Sequence, residues 1–443
     1  MIKKIVNNLI LLMVCGFLHP QTLSASLDEE KLISSNATLK EAVRESIELN
    51  YRVKQAKERV IQADFMIREA LADFLPQVTL SSNTKRLQYS GFDIQDYAQT
   101  DLTAAVSYNL YSGGKSKAQM DKNKIVKKEQ QEKLKGTMQE EISKVIDSYL
   151  SVVYGRLSMD VNKKNYEKLL KIYEIVKTKR ALGAATAGDE NSISSSVFNA
   201  KTAMTNTESA YNNAKNYYEF SINKNIEQLN PFETSFDVKL EEFDNVFEQI
   251  KSKNVDLNII KAQIEGKKKD VYINKATAWP TVDLSVSNTR RYRDDYIQSI
   301  SNIPTDGFNS DTIMLLSINY NIYTGGRVEA KTARIMSETT DNIYNLEYIT
   351  KETKWDSQKL FNSVQTNTDT LETLTGEIVA SEKMVDAYWE RFRLSSQDLI
   401  TLLLAQRQLN SAELEKLRSE KTRIIDYFNL LAKEGKLLEY FGY

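Results

Sequence analysis

Tyr108-Asn-Leu-Tyr-Ser-Gly-Gly114 and Tyr320-Asn-Ile-Tyr-Thr-Gly-Gly326 are one heptapeptide written twice, 212 residues apart (320 − 108). Each closes an alternating run. Leu102, Ala104, Val106, Tyr108 and Leu110 alternate with Thr103, Ala105, Ser107, Asn109 and Tyr111. Met314, Leu316, Ile318, Tyr320 and Ile322 form the matching row, with Ser317, Asn319 and Asn321 in the other register. A period of two with one apolar face predicts β-strands. Upstream, Leu75-Pro-Gln-Val-Thr-Leu-Ser81 matches Trp279-Pro-Thr-Val-Asp-Leu-Ser285, 204 residues apart (279 − 75), and opens shorter strands at Val78/Leu80 and Val282/Leu284/Val286. Asn83-Thr-Lys-Arg86 then matches Asn288-Thr-Arg-Arg291, one residue further out of phase. The growing offset places an insertion in the polar loops joining each strand pair, roughly Ser90 to Thr100 and Tyr292 to Asp311, where extra residues are tolerated.

The duplication extends into the flanks. Prolines occur only at 20, 76, 231, 280 and 304, leaving 77–230 and 305–443 free of them. Such tracts, rich in Lys, Glu, Gln, Leu and Ala, permit very long helices. Ile142, Val145/Ile146, Tyr149 and Val152/Val153 recur at three- and four-residue spacing, as do Leu371, Leu374 and Ile378, and later Leu399 and Leu402/Leu403. That is a coiled-coil-like stripe. A continuous helix from Lys115 to Leu182 would be about 100 Å long at 1.5 Å per residue. Leu182-Gly183 falls opposite Leu394-Ser395, so each half reads helix, strand, loop, strand, Gly-Gly, long helix, small-residue break, helix.

The start of the chain has the pattern of an address. Two lysines follow Met1-Ile2, an apolar run broken only by Asn7 and Asn8 extends from Ile5 to Leu18, and Ser24-Ala25-Ser26 precedes Asp28-Glu29-Glu30. This predicts a secretory signal peptide over 1–26. Cys15 is not expected to carry lipid, because Val14 is too large for the residue before a lipidated cysteine. His19 and Cys15 are the only histidine and cysteine in 443 residues. Removal of the leader would leave no imidazole and no thiol, which excludes disulfides, thiolate chemistry, Ser-His-Asp triads and nearly all zinc sites. Metal-free carboxylate chemistry survives that arithmetic, but no catalytic constellation, cofactor motif or metal cluster is visible. Gly114-Lys115-Ser116 imitates the end of a phosphate loop, yet the earlier glycine would fall at Asn109 and the repeat has Gly326-Arg327-Val328 instead. With 59 Lys+Arg against 60 Asp+Glu, nothing favours a nucleic-acid partner.

The strands limit the architecture. Their apolar faces need cover, and two isolated hairpins would be marginal and expose their edges. A closed barrel in lipid resolves both problems. Four strands cannot close alone, so several chains must contribute, and three would supply twelve strands. The amphipathic helices would continue the barrel as a tube. Pro76 and Pro280, and the Gly113-Gly114 and Gly325-Gly326 pairs, stand where strand and helix meet. Tyr89, Tyr108, Tyr111, Tyr320 and Tyr323 near strand ends read either as an interfacial girdle or as ordinary strand formers.

On Leu75-Pro76, Trp279-Pro280, the two Asn-(Leu/Ile)-Tyr-(Ser/Thr)-Gly-Gly motifs and Arg391-Phe-Arg-Leu-Ser-Ser-Gln-Asp-Leu-Ile-Thr-Leu-Leu-Leu-Ala-Gln-Arg407, the chain resembles the TolC family of outer-membrane efflux and secretion channels. The likeness runs from about Thr38 to Lys436. It implies a mainly α protein with a membrane β-barrel portion, a homotrimer whose 12-stranded β-barrel continues into a 12-helix α-barrel in the periplasm. It also implies an exit duct for efflux or type I secretion, with outer-membrane lipid, a periplasmic adaptor protein and a proton- or ATP-driven inner-membrane pump as partners. The expected organisation is a first repeat over 27–230 (hairpin 78–112, long helices 115–229), a link over 231–252, and a second repeat over 253–443 (hairpin 282–324, long helices 327–436). The resemblance places adaptor-docking tips at Leu182, Gly183 and Ala184 and at Leu394, Ser395 and Ser396. It places the periplasmic aperture at Asp189 and Glu190. In the second half, Thr401 and Leu404 stand where the family has acids, with Asp398 as a displaced acid, and Phe392 and Gln397 replace the usual Tyr and Arg. The alternatives are a periplasmic adaptor, which should show one hairpin between β-rich halves, and an exported coiled-coil scaffold, which needs neither strands nor Gly-Gly turns.

Overall fold

The computed structural model describes residues 39–87, 97–222, 238, 240–294, 308–394 and 398–443. The expected leader, Tyr89 and the tip residues Ser395 and Ser396 lie outside them. The first half consists of α1 (Leu39–Leu49), α2 (Tyr51–Ala72), β1 (Gln77–Leu87), β2 (Tyr97–Tyr111), α3 (Lys115–Ala181) and α4 (Ala187–Ile222). The second consists of α5 (Phe243–Lys253), α6 (Val255–Ala276), β3 (Thr281–Asp294), β4 (Phe308–Asn319), α7 (Arg327–Arg393), α8 (Leu399–Lys433) and a short α9 (Leu437–Phe441).

The repeat is visible in detail. The Asn50 side chain accepts hydrogen bonds from the amides of Arg52 (2.8 Å) and Val53 (3.3 Å), capping α2. Its counterpart Asn254 does the same for Asp256 (3.0 Å) and Leu257 (3.2 Å) at the start of α6. Both helices run out shortly before a proline, Pro76 or Pro280, whose missing N–H suits entry to a strand better than a further helical turn. α3 and α7 each span 67 residues without interruption. α5, the counterpart of α1, occupies ground read from sequence as link: residues 243–252 are helical, and Val246, Phe247 and Ile250 bury against Leu430 and Phe361.

The core is distributed along the helices. Its largest part lies at mid-height, where Ile142, Ile146, Tyr149 and Leu150 of α3 meet Val43 and Ile47 of α1, Tyr218 of α4 and Phe428 of α8. Tyr149 and Tyr218 meet edge to face, ring centroids 5.7 Å apart. A second cluster near the α3–α4 and α7–α8 breaks joins Ile172 and Val176 to Ile193, Phe392 and Leu402.

The strands form a single antiparallel sheet in the order β1-β2-β3-β4. Gln77 faces Ser107 and Thr281 faces Asn319, the same pair one repeat later. β3 and β4 pair without a shift from Thr281 to Tyr292, so the one-residue slip between Asn83 and Asn288 is a drift of sequence and not a bulge. β4 ends at Asn319, short of the Tyr320 and Ile322 expected to continue it. β2 is held to Tyr111 by β3 on its flank, whereas β4 has no such second neighbour among the described residues.

Candidate functional site

The sheet inverts the rule of water-soluble proteins. Leu80, Leu102, Val106, Leu316 (58% exposed) and Ile318 (66%) are open, while Thr103, Ala105, Asn109 and Asp283 on the other face are half-buried. That face, largely polar but carrying Ala105 and the exposed Ile313 and Leu315 of β4, is hydrogen-bonded across the strands. The Thr103 and Thr289 hydroxyls lie 3.0 Å apart, Asn109 Nδ2 donates to Asp283 Oδ1 at 2.6 Å, and Arg291 pairs with Asp311 at 2.7 Å. Water would penalise this arrangement and lipid would not. Among the described residues, β1 and β4 each leave one edge without a partner, the feature that soluble sheets avoid.

The strand-to-helix turns are built on glycine. Gly113 (φ 66°), Gly114 (φ 82°), Gly325 (φ 67°) and Gly326 (φ 74°) all sit in the left-handed region. The Ser112 hydroxyl then accepts the amide of Ser116 at 3.3 Å, so Gly114-Lys115-Ser116 is the start of α3. The two turns differ in surroundings. A Cβ on Gly113 would lie 2.7 Å from the Ala276 carbonyl oxygen and 2.8 Å from Trp279 Cβ, just ahead of Pro280, whereas one on Gly325 would meet open space.

At the other end of the long helices, α3 stops in a Schellman turn. Gly183 (φ 76°) donates to Arg180 O at 2.9 Å and Ala184 to Lys179 O at 2.7 Å, leaving Leu182 79% exposed. Thr186 and Asp189 form a capping box for α4. The Asp189 carboxylate accepts from the Thr186 amide and hydroxyl, both at 2.8 Å, and the Asp189 amide returns to the hydroxyl at 3.1 Å. Those bonds, the backbone one foremost, hold the Asp189 carboxyl below the usual carboxylate range. Glu190 pairs with Arg180 across the turn.

In the second half, Leu394 ends α7 and is as exposed as Leu182, and Asp398 precedes α8 with an extended backbone and no side-chain cap bond. Thr401 is half-buried and Leu404 exposed, while Phe392 is buried against α3 and α8. Lys179 and Phe392 bring the two breaks together, a contact the sequence reading did not find. A lysine in the last turn of a long helix signals only a favourable charge for that helix's own carbonyls. Gln406 adds a second tie, donating to Asn165 at 3.1 Å.

Among the described residues no helix is long and apolar enough to cross a membrane, a statement that does not bear on strands. The family model described as outer membrane efflux protein matches residues 42–217 and 246–433. No curated protein matches the chain. Among solved structures, CusC, whose report concerns folding and transmembrane channel formation, is similar at a TM-score of 0.79 and 13% identity over 93% of this chain and 95% of that one. The outer membrane protein VceC of Vibrio cholerae follows at 0.76 and 13% over 90% and 96%. The CmeC outer membrane channel of Campylobacter jejuni follows at 0.76 and 14% over 92% and 90%.

Proposed function

Because the chain belongs to the outer membrane efflux protein family, an outer-membrane transport-channel family, we propose that three copies close into one duct that carries cargo out through the periplasm and outer membrane. The observation that carries this reading is the sheet, with its apolar face open and its β1 and β4 edges free.

The internal repeat suggests what covers those edges. Within the chain, β2 of the first half pairs with β3 of the second, and α3 lies against both α2 and α6. α7, the counterpart of α3, packs on α6 and α8, and its Tyr344, Tyr348 and Trp355 are exposed. α2, the counterpart of α6, exposes Tyr51, Phe65 and Met66. A neighbouring copy's α2 and β1 against α7 and β4 would repeat the internal seam. Gly325 would then face the neighbour's Ala72–Leu75, as Gly113 faces Ala276 and Trp279. Tyr108, Tyr111, Tyr320 and Tyr323 would ring the barrel's inner rim.

The tips fit a docking role. Leu182, Gly183, Ala184 and Leu394 offer small or apolar groups where α3 and α7 end, open to the hairpin of a periplasmic adaptor that couples the duct to an inner-membrane pump; Ser395 and Ser396 follow Leu394 in the sequence. Asp189, Glu190, Asp398, Thr401 and Leu404 would line the aperture. Since Arg180 offsets Glu190, the net negative charge there comes chiefly from Asp189 and Asp398. The adaptor and scaffold alternatives account for neither two strand pairs nor two Gly-Gly turns.

The test is single-channel conductance of the detergent-extracted protein in a planar bilayer, with its mass measured alongside. A trimer giving discrete, cation-preferring openings is expected. A soluble monomer without conductance would return the adaptor or scaffold reading.

A further inference from the structure

The outward face of the sheet is not uniform along its length. Over Val78–Arg86, Ala98–Tyr108, Val282–Tyr292 and Ser310–Ile318 its outward positions include no acid and two cations, Arg86 and Arg290. Both are exposed, and both lie toward the end of the strands farthest from the Gly-Gly turns. Arg290 is flanked in register by Leu102 and Ser310, and Arg86 by Ala98, with Asp294 the next position across the row of Arg86, so no acid is the direct register partner of either arginine. The acids Asp101, Asp283 and Asp311 belong to the other face, where Arg291 takes up two of them.

Their height is informative. From Val282, level with the turns, to Arg290 is eight residues (290 − 282), or about 27 Å of strand at roughly 3.4 Å per residue. A strand tilt of about 40° reduces this to about 20 Å, close to the roughly 25 Å apolar band of membrane barrels. Below Arg290 the outward residues of β3 are Asn288, Val286, Leu284 and Val282; in its own row stand Ser82, Leu102 and Ser310, and in the next Thr84, Thr100 and the exposed Tyr292, a mixed polar and aromatic border. Arg290 therefore stands where lipid tails end and headgroups begin. An arginine at that level offers a planar fork of donors that matches a phosphate bidentately.

We propose that Arg290 and Arg86 bind the phosphate groups of a phosphorylated glycolipid in the outer leaflet, six such cations encircling a trimer. This rests on the channel reading above, which turns this end of the strands away from the periplasm.

The test uses the purified full-length protein in detergent, titrated with bis-phosphorylated lipid A and followed by native mass spectrometry. Wild type should retain the lipid, and the double variant Arg86→Gln/Arg290→Gln should bind it about tenfold more weakly or worse, with Arg→Lys at both sites intermediate. Dephosphorylated lipid A should bind wild type no better than the double variant binds the phosphorylated form. Equal retention of both lipids by wild type, or equal binding by wild type and double variant, would overturn the proposal. So would full displacement by an equal concentration of inorganic phosphate, which would mark a free-anion site. Conductance of the same preparation separates the two layers of inference. A conducting trimer that ignores the lipid phosphates sinks only the lipid assignment, and a preparation that never conducts sinks the channel reading beneath it.

Discussion

Lys179 Nζ donates to the carbonyl oxygen of Phe392 at 2.7 Å and lies 4.3 Å from the centroid of the same residue's ring. One side chain thus satisfies an end carbonyl of α7 and covers an aromatic face, joining two helix breaks far apart in sequence. Replacing it by methionine keeps the stem and removes the charge. Lys179→Met should cost about 1–2 kcal/mol locally, from the charged hydrogen bond and the cation–π contact. Single-channel recordings should show a raised open probability, with Lys179→Arg closer to wild type. Unchanged gating would confine the contact to packing.

The acids proposed for the aperture can be told apart by sign. Arg180→Gln frees Glu190 and should strengthen cation preference, whereas Asp189→Asn should weaken it. Reversal potentials under a salt gradient measure both, and identical values for the two variants would remove these residues from the pore.

Asp189 also makes the tip sensitive to acid. Its native pKa lies below the ordinary value of about 3.8, so its contribution to the α4 cap is fully present above that value. It is lost as pH falls through the depressed native value. Amide exchange over residues 187–193 should therefore rise at about pH 3 relative to pH 5, once corrected for intrinsic rates, and Asp189→Asn should abolish the difference. At neutral pH, Thr186→Ala should cost about 1 kcal/mol, read in the same amides.

Gly113 and Gly325 share a backbone conformation and differ in neighbours. Gly113→Ala drives a methyl group into Ala276 and Trp279 of its own chain and should reduce the yield of folded protein. Gly325→Ala carries only backbone strain of about 1 kcal/mol within one chain. If a neighbouring copy fills that space, it should lower the trimer fraction in native mass spectra while leaving far-ultraviolet circular dichroism intact. Equal trimer fractions for Gly325→Ala and wild type would argue against the seam.

Lipid contact gives a facing pair. Val286→Lys, on the open apolar face, should destabilise the protein in a bilayer by about 2–3 kcal/mol, and Ser285→Lys, on the polar face, much less. Denaturant midpoints in vesicles compare them, and equal losses would contradict the assignment of faces.

The parts of this molecule legible in its sequence are those governed by local period and by repetition. Alternation in 102–110 and the Gly-Gly pairs mark strands and turns because one residue's neighbours decide them. α5 escaped notice because Phe243, Val246, Phe247 and Ile250 span only about two turns, too short a stripe amid polar residues. Thr186-x-x-Asp189 is a legible capping box, yet its acid also suited the aperture, and only the folded structure shows its carboxylate turned back on the helix. Lys179 and Phe392 leave no pairwise mark in one sequence, since the helices that bring them together are set by packing along their whole length.

The β2–β3 pairing has a kinetic consequence. In a ring of three copies, three of the six seams between repeats join segments of one polypeptide and form at a rate independent of how much protein is present. The other three need encounter and so depend on concentration. Assembly should therefore divide into a unimolecular phase that completes each four-stranded sheet and a slower, dose-dependent phase that closes the ring. Under scarce expression, open single sheets should accumulate before any duct exists.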